Sequence, residues 1–226
     1  MPSKPLILFD FGGTLDADGD RWCVRFHRAY TAAGGRLPLE EFEQQFRRSD
    51  RALEELAGIR GMGFAAMVRA QAELLRGLVA DAAGVPWDRV AEAFQCDAVA
   101  TVARNRALLA RLAARHSLGI VSNFTGNLEH CLRELELRAL FRVVADSAIV
   151  GASKPSAAIF EYALAAAGAR PTESWMVGDN FAADIRPAAA LGLSTVWLAD
   201  PARPLPEPGI ATARIGTLAE LEAVLG

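Results

Sequence analysis

The chain has 226 residues, of which 52% are hydrophobic, and its formal net charge is -3. This composition excludes a disordered chain, and the acidic balance argues against a nucleic-acid-binding protein, which needs a surplus of positive charge. The apolar runs are too short for a membrane span or a signal peptide, and three widely spaced cysteines indicate reduced thiols, so we expect a cytoplasmic protein with no membrane partner.

The first predicted element is a buried parallel strand at residues 5–10. Its short apolar run ends at Asp10 and is followed by a turn that contains Gly12 and Gly13. Continuous apolar runs of this length are typical of parallel strands that are covered on both faces. Such a strand would place Asp10 at its carboxyl end.

Residues 16–103 predict a helical insert. They contain four long amphipathic segments, at 21–33, 38–57, 64–83 and 86–103, and no convincing strand. Three glycines interrupt the insert at residues 58–63 and predict a loop between its second and third helices. We therefore expect two domains, a core of residues 1–15 and 104–226 and a helical cap of residues 16–103.

Strand and helix patterns alternate through the rest of the chain. Strands are predicted at residues 118–121, 143–145, 175–177 and 194–198, and helices at 104–115, 126–137, 155–168, 180–191 and 218–225. Thr217 and Glu220 have the spacing of a capping box at the last of these helices. The alternation predicts an α/β fold with a doubly wound, Rossmann-like parallel sheet.

Polar residues follow several of the predicted strands. Asp10, Ser122, Asn123 and Asp179 all lie where an apolar run ends. In an open parallel sheet, ligands bind outside the carboxyl ends of the strands, so these side chains should converge on one crevice. The insert leaves the chain directly after the first strand and should lie over that crevice.

Four short motifs contain these polar residues. They are Asp-Phe-Gly-Gly-Thr-Leu from Asp10, Gly-Ile-Val-Ser-Asn up to Asn123, Ser-Lys-Pro around Lys154, and Gly-Asp-Asn-Phe-Ala-Ala-Asp from Gly178 to Asp184. Together and in this order they resemble the haloacid dehalogenase-like (HAD) hydrolase superfamily. The resemblance covers the whole chain, and it implies that the helical insert is a cap of the family's first type.

The resemblance implies a role for each residue around the reacting phosphoryl group. Asp10 would be the nucleophile, because a carboxylate can form an aspartyl-phosphate and divide one difficult hydrolysis into two steps. Lys154 would offset negative charge on Asp10 and on the phosphate. Ser122 would donate to a phosphoryl oxygen, and Thr14 and Asn123 are further candidates for positioning or binding there.

The resemblance also implies a Mg²⁺ site. Its ligands would be the side chains of Asp10 and Asp179 and the backbone carbonyl of Gly12, with Asp184 close by to orient metal-bound water or Lys154. Hard oxygen ligands of this kind are the ones that Mg²⁺ prefers. We therefore expect Mg²⁺ to be the cofactor.

Position 12 departs from the pattern of the family's phosphatases. They carry a second aspartate there, which protonates the leaving group and then activates water, and Gly12 can do neither. General acid–base assistance is typically worth about a hundredfold to ten-thousandfold in rate. The substitution therefore leaves several functions open.

Three functions remain as alternatives. The first is a Mg²⁺-dependent phosphatase for a small phosphorylated metabolite, with the missing acid supplied by the cap or by the substrate. The second is a dehalogenase-like hydrolase with a nucleophilic aspartate, which the retention of Asp179 disfavours because haloacid dehalogenases need no Mg²⁺. The third is a protein with little turnover that binds a phosphorylated or anionic ligand, or a partner.

Lysine usage removes a fourth alternative. The family's phosphonoacetaldehyde hydrolases tolerate a small residue at position 12, but they require a lysine in the cap. Lys4 and Lys154 are the only lysines in the chain, and neither lies within residues 16–103. The sequence therefore argues against that chemistry.

Arg25 and Arg60 are the candidate substrate-binding residues of the insert. An arginine there could hold an anionic substrate through two parallel hydrogen bonds. A solvated surface is the alternative for both side chains. We expect the protein to be a monomer or a homodimer.

Overall fold

A six-stranded parallel sheet forms the centre of the fold. The structure is a computed structural model that describes residues 4–225. Its strands are Leu6–Phe9 (β1), Ser117–Ser122 (β2), Val143–Asp146 (β3), Ser174–Gly178 (β4), Ser194–Leu198 (β5) and Ala213–Ile215 (β6). They lie in the order β3-β2-β1-β4-β5-β6, and every neighbouring pair is parallel. The predicted α/β sheet is therefore confirmed.

The sequence does not predict β6. This strand pairs with β5 at the edge of the sheet, in a register that runs from Val196 opposite Ala213 to Leu198 opposite Ile215. It has three residues, and its central residue is the charged Arg214. A short edge strand of this kind lacks the apolar run from which the other five strands were predicted.

Helices cover both faces of the sheet. They are Trp22–Ala32 (α1), Leu39–Glu54 (α2), Phe64–Leu78 (α3), Trp87–Arg115 (α4), Leu128–Glu134 (α5), Ser147–Val150 (α6), Ala157–Ala167 (α7), Arg186–Ala190 (α8) and Leu221–Leu225 (α9). Helices α1 to α3 and the first part of α4 form the predicted insert. The predicted capping box at Thr217 and Glu220 is present.

Helix α4 joins two elements that the sequence analysis kept apart. It runs without interruption for 29 residues and combines the helices predicted at 86–103 and 104–115. No glycine or proline occurs between residues 87 and 115, so nothing in the sequence ends the helix there. The boundary predicted between residues 103 and 104 falls inside this helix.

Helix α7 begins later than predicted. The Ser156 side chain accepts a hydrogen bond from the Ala158 N–H, which makes Ser156 the N-cap and Ala157 the first helical residue. Pro155 therefore precedes the cap and does not occupy the first turn. The loop that carries Lys154 consequently ends directly at the start of α7.

The side chains of β1 alternate between two layers of the core. Ile7 and Phe9 pack in the cluster that includes the insert and α4, whereas Leu6 and Leu8 pack in the cluster that contains the buried residues of α7. All four are at most 1% exposed, as expected for a strand that is covered on both faces. Among residues 4–225, no helix has the length and apolarity needed to cross a membrane.

Candidate active site

The carboxyl ends of the central strands and the insert enclose one cavity of about 360 Å³. Asp10 follows β1, Ser122 ends β2, Asp179 follows β4, and Lys154 comes from the loop before α7. All four line the cavity, together with Gly12 and Asn123. The structure therefore brings together most of the residues predicted for the site.

Asp10 is held by a lysine and a serine. Lys154 Nζ lies 2.7 Å from Asp10 Oδ1, and Ser122 Oγ donates to the same oxygen over 3.0 Å. No group within residues 4–225 donates a hydrogen bond to the other carboxylate oxygen, Asp10 Oδ2. One carboxylate oxygen is thus fixed, and the other is left to face the cavity.

Asn123 positions Lys154 through the backbone. Its side-chain oxygen accepts from the Lys154 N–H over 2.7 Å, and its amide nitrogen donates to the Lys154 carbonyl over 3.0 Å. Both polar ends of the side chain are therefore engaged by one residue. This geometry makes Asn123 a positioning residue for Lys154, although it also lines the cavity.

Asp10, Asp179 and Asp184 form a buried acidic cluster. Each offers a carboxylate oxygen, and these oxygens all lie within 4.8 Å of one another. Burial, together with the charges of Asp10 and Asp184, raises the pKa of Asp179 well above its usual value. Burial also raises the pKa of Asp184, to about 6, although Lys154 opposes the shift. If all three carboxyl groups were ionised, their negative charge would exceed the positive charge of one lysine, and this imbalance contributes to the raised pKa values of Asp179 and Asp184.

Lys154 is the cation inside this cluster. Its ammonium lies 2.6 Å from Asp184 Oδ1 as well as 2.7 Å from Asp10, and the residue is only 6% exposed. Burial alone would lower the pKa of Lys154, but the neighbouring Asp10 and Asp184 raise it. Lys154 therefore stays charged and forms ion pairs with Asp10, the candidate nucleophile, and with Asp184.

Two glycines make room for the carboxylates. A Cβ atom on Gly13 would lie 2.8 Å from both carboxylate oxygens of Asp179, and Gly13 also has a φ of +94°. A Cβ atom on Gly178 would lie 2.4 Å from an oxygen of Asp184. Any larger side chain at either position would collide with the acidic cluster, so these glycines are required by packing.

Thr14 supports Asp179 and does not reach the cavity. Its hydroxyl donates to Asp179 Oδ1 and accepts from the Asp179 N–H, both over 3.1 Å, and the side chain is fully buried. Trp197 adds a third bond, from its indole N–H to the Asp179 carbonyl over 2.9 Å. The structure therefore makes Thr14 a support for the acidic cluster, where the sequence had suggested a phosphate contact as one alternative.

The indole of Trp22 fills the space beside Gly12. A Cβ atom on Gly12 would lie 3.2 Å from Trp22 Nε1, and both residues line the cavity. The ring packs edge-on against Phe64, Phe94 and Phe124. Its N–H donates to Asp16 Oδ2 over 2.8 Å. An indole therefore stands where a side chain at position 12 would begin.

Arg25 is not a residue of the cavity. Its guanidinium is buried, forms an ion pair with Asp16 at 2.7 Å and a second with Asp97 at 3.0 Å, and stacks over Phe94. Its two ion pairs direct the side chain at Asp16 and Asp97, and Arg25 does not line the cavity. The prediction that Arg25 binds substrate is therefore wrong. Arg25 instead joins the start of α1 to α4.

Arg60 also lies outside the cavity. It is exposed and lines a neighbouring cavity that shares Glu54, Phe124 and Thr125 with the first one. Its side chain packs beside Gly126. The structure therefore does not bring Arg60 together with Asp10 and Lys154.

The insert contributes a mostly apolar wall to the cavity. Trp22, Phe46, Leu53 and Met67 provide its apolar surface. Asp50 of α2 lines the cavity among them and accepts a hydrogen bond from Gln71 Nε2 over 2.8 Å. A carboxyl group from the insert thus shares the cavity with the carboxyl groups of the core.

Comparison with protein families matches residues 4–192 to the haloacid dehalogenase-like hydrolases. The chain belongs to this family. This membership agrees with the resemblance of its motifs, and the four motifs all lie within the matched residues.

Curated relatives of this HAD hydrolase include phosphatases. The pyrimidine 5'-nucleotidase YjjG of Escherichia coli (strain K12) is 36% identical over 121 residues, which cover 52% of this chain and 53% of that protein. The phosphoserine phosphatase of Thermus thermophilus is 38% identical over 81 residues, 36% of this chain and 32% of that protein. The chain thus spans about half, or less, of the length of these relatives.

Solved structures share the fold over the full chain. The HAD-hydrolase YfnB from Bacillus subtilis, solved with bound magnesium, has 21% identity and a TM-score of 0.62 and covers 99% of both chains. A 2-haloacid dehalogenase from Pseudomonas syringae has 22% identity and a TM-score of 0.56 and covers 98% of both chains. At these identities, the likeness shows that this HAD hydrolase has the family's fold.

Sequence analysis missed two residues in or beside the candidate site, Asp16 and Asp50. Asp16 was given no role in the site from the sequence, yet it is fully buried and accepts hydrogen bonds from Gly13, Trp22 and Arg25. No spacing rule links these partners, so the sequence held no signal for this role. Asp50 did leave a signal, because it follows Phe46 by four residues and lies on the apolar face of its helix.

Proposed function

We propose that this HAD hydrolase is a Mg²⁺-dependent phosphatase that acts through an aspartyl-phosphate on Asp10. The observation that carries the proposal is the cluster of three buried carboxylates around one lysine. Hydrolysis of a carbon–halogen bond would have no use for so much negative charge. Phosphoryl transfer uses it, because a cation held there neutralises charge on the reacting group.

The donor set fits Mg²⁺. The cluster offers hard oxygen atoms of Asp10, Asp179 and Asp184 within 4.8 Å of one another. When ionised, these three groups carry more negative charge than the positive charge of Lys154 can neutralise. We propose that Asp10, Asp179 and the Gly12 carbonyl hold the ion directly, with Asp184 beside them. Bound Mg²⁺ would neutralise charge on the phosphoryl oxygens.

The residues of the chain divide the chemistry among themselves. Asp10 Oδ2 attacks phosphorus, since Asp10 Oδ1 is engaged by Lys154 and Ser122. Lys154 offsets the charge that accumulates on Asp10 and on the phosphoryl group, and Asn123 keeps its backbone in place. When substrate binds, the Ser122 hydroxyl would turn its single proton from Asp10 to a phosphoryl oxygen, and nearby backbone N–H groups would donate to phosphoryl oxygen as well.

The cavity favours a small substrate with an apolar portion. Its volume of about 360 Å³ is near the lower end of the range of volumes that small-molecule binding sites have. Phe46, Leu53 and Met67 supply apolar contacts, and the insert presents more carboxyl groups than free arginines to the cavity. We propose a small phosphomonoester and assign residues 16–103 to the cap that selects it.

The proposed function is tested by replacing the nucleophile. Asp10→Asn should abolish release of phosphate from p-nitrophenyl phosphate and from a panel of small phosphomonoesters, and chelation of Mg²⁺ should do the same to the unaltered protein. Lys4→Met is a matched control, because Lys4 is exposed and, within residues 4–225, its ammonium donates only to carbonyls at the end of α4.

Other outcomes would point to the alternatives. Release of halide from 2-chloropropionate without Mg²⁺ would replace the phosphatase by a dehalogenase. Absence of turnover on the whole panel, with thermal stabilisation by phosphate intact, would favour a protein that binds a phosphorylated ligand.

A further inference from the structure

The proposed phosphatase lacks a general acid in the first motif. Gly12 has no side chain, and the Trp22 ring occupies the space into which a side chain at this position would extend. An indole N–H that is bonded to Asp16 does not exchange protons with a leaving group. A proton donor for a poor leaving group must therefore come from elsewhere in the cavity.

Most ionisable side chains that line the cavity are already held in ion pairs or in the acidic cluster. Lys154 is held between Asp10 and Asp184, and Arg21 is paired with Glu43 at 2.8 Å. Asp179 belongs to the acidic cluster. Among the described residues that line the cavity, these assignments leave Asp50 and Glu54 of the insert.

Asp50 is held more firmly than Glu54. Gln71 Nε2 donates to Asp50 Oδ1 and also to Ser49 Oγ, each over 2.8 Å, and Gln71 itself is only 1% exposed. Glu54 is exposed at the end of α2. One Asp50 oxygen is therefore fixed by a buried amide, and within residues 4–225 the other accepts no hydrogen bond.

The groups around Asp50 favour its protonated form. Facing it are Glu54 on its own helix, Cys23 and Arg21 at the start of α1, Gln71 on α3, and Asp10, Asp179 and Lys154 across the cavity. Burial and the charge of Glu54 raise the pKa of Asp50 to about 7, although Gln71 opposes the shift. An acid with such a pKa can both donate and accept a proton near neutral pH.

We propose that Asp50 replaces the missing acid and base of the first motif; this inference rests on the proposed phosphatase function. In the first step, Asp10 attacks phosphorus, the bond from phosphorus to the leaving oxygen breaks, and that oxygen takes both bonding electrons and the proton of Asp50. In the second step, the Asp50 carboxylate takes a proton from water as the water oxygen attacks phosphorus. The bond between phosphorus and the Asp10 oxygen breaks, its electrons return to Asp10 as a carboxylate, and phosphate leaves.

The experiment compares leaving groups in Asp50→Asn and in the unaltered protein. Phenyl phosphate needs a proton at its leaving oxygen, whereas p-nitrophenyl phosphate needs one much less. For Asp50→Asn, kcat/KM should fall by about a hundredfold or more with phenyl phosphate and clearly less with p-nitrophenyl phosphate. A burst of p-nitrophenol should also appear, because the second step loses its base.

The pH profile gives an independent readout. Because the acid form of Asp50 is needed, kcat/KM for phenyl phosphate should decline as the pH rises above about 7 in the unaltered protein. Asp50→Asn should lose this decline. Asp50→Glu should restore part of the rate, and Glu41→Gln, which removes an exposed charge from the first turn of the same helix, should behave like the unaltered protein.

Two results would overturn the inference while leaving the phosphatase intact. They are equal rate losses with both substrates in a folded Asp50→Asn protein, or a larger and leaving-group-dependent loss in Glu54→Gln. If the unaltered protein shows no Asp10-dependent phosphate release at all, the proposed function fails and the role of Asp50 fails with it.

Discussion

At the scale of single residues, the contact between Gly12 and Trp22 limits the effect of introducing an aspartate at position 12. The backbone at Gly12, with φ of -77° and ψ of 115°, accepts any residue. The obstacle is the indole, which is 3.2 Å from the added Cβ atom and is held by Asp16 and three aromatic rings. A new carboxylate at position 12 therefore requires a change at position 22.

We predict that Gly12→Asp alone gives no gain in phosphatase activity. Forcing a side chain against the held indole should lower the free energy of unfolding by about 1–3 kcal/mol. Combined with Trp22→Leu, the same substitution should raise kcat above that of Trp22→Leu alone, by up to about a hundredfold. Turnover of p-nitrophenyl phosphate and urea denaturation check both statements, and a rise in kcat for the single variant would contradict them.

A second prediction concerns the buried lysine. Lys154→Met leaves Asp10 and Asp184 without their cation, so it should abolish turnover and lower the free energy of unfolding by about 3–5 kcal/mol. Lys4→Met removes the other lysine of the chain and should cost at most about 1 kcal/mol, because Lys4 is exposed. Similar losses in the two variants by urea denaturation would contradict the structural role of Lys154.

At the scale of elements, α2 carries an acid on its apolar side. Phe42, Phe46 and Leu53 pack into the core of the insert, and Asp50 lies on the same face. Placing a carboxyl group there costs stability once the group is ionised. Helix α2 therefore gives up some stability to present an acid to the cavity.

We predict that Asp50→Asn stabilises the protein in a pH-dependent way. The pKa of Asp50 is raised to about 7 in the folded chain, so the folded state binds more protons than the unfolded state between about pH 4 and 7. The stability of the unaltered protein relative to Asp50→Asn should therefore fall as the pH rises through this window. At pH 8, the variant should be more stable by about 2–4 kcal/mol in urea denaturation. A difference that is the same at pH 4 and pH 8 would contradict this.

The elements also show where sequence patterns succeed. Strands β1 to β5 were predictable because burial on both faces produces apolar runs. The polar residues at the ends of these strands predicted the position of the crevice. The length of α4 was missed although the sequence indicated it, because residues 87–115 contain no glycine or proline. The role of Arg25 was not predictable, because it depends on Asp16 and Asp97, which no local spacing identifies.

At the scale of the whole molecule, the acidic cluster links cation binding to folding. Asp10 lies far in the sequence from Asp179 and Asp184, and it meets them only in the folded state. A cation that binds there stabilises the fold in proportion to its occupancy, by about 2.7 kcal/mol at a hundred times its dissociation constant.

We predict that Mg²⁺ raises the melting temperature of the unaltered protein and that Asp179→Asn removes most of this rise. The variant itself should be at least as stable as the unaltered protein in a chelator, because burial and its acidic neighbours disfavour the charge of Asp179. Thermal unfolding with and without Mg²⁺ measures both effects. An unchanged melting temperature in the unaltered protein would count against a cation site in the cluster.

The unbroken α4 also determines how the crevice can open. The chain crosses between insert and sheet twice, once after Leu15 and once along α4, and the crossings are fastened together. Asn105 of α4 donates to the Leu15 carbonyl over 3.0 Å, and Arg104 donates to Asp18 over 3.1 Å. To swing outward, the insert must bend a continuous helix or break these bonds. Any such opening would therefore depend on contacts that involve neither Asp10 nor the residues that line the cavity.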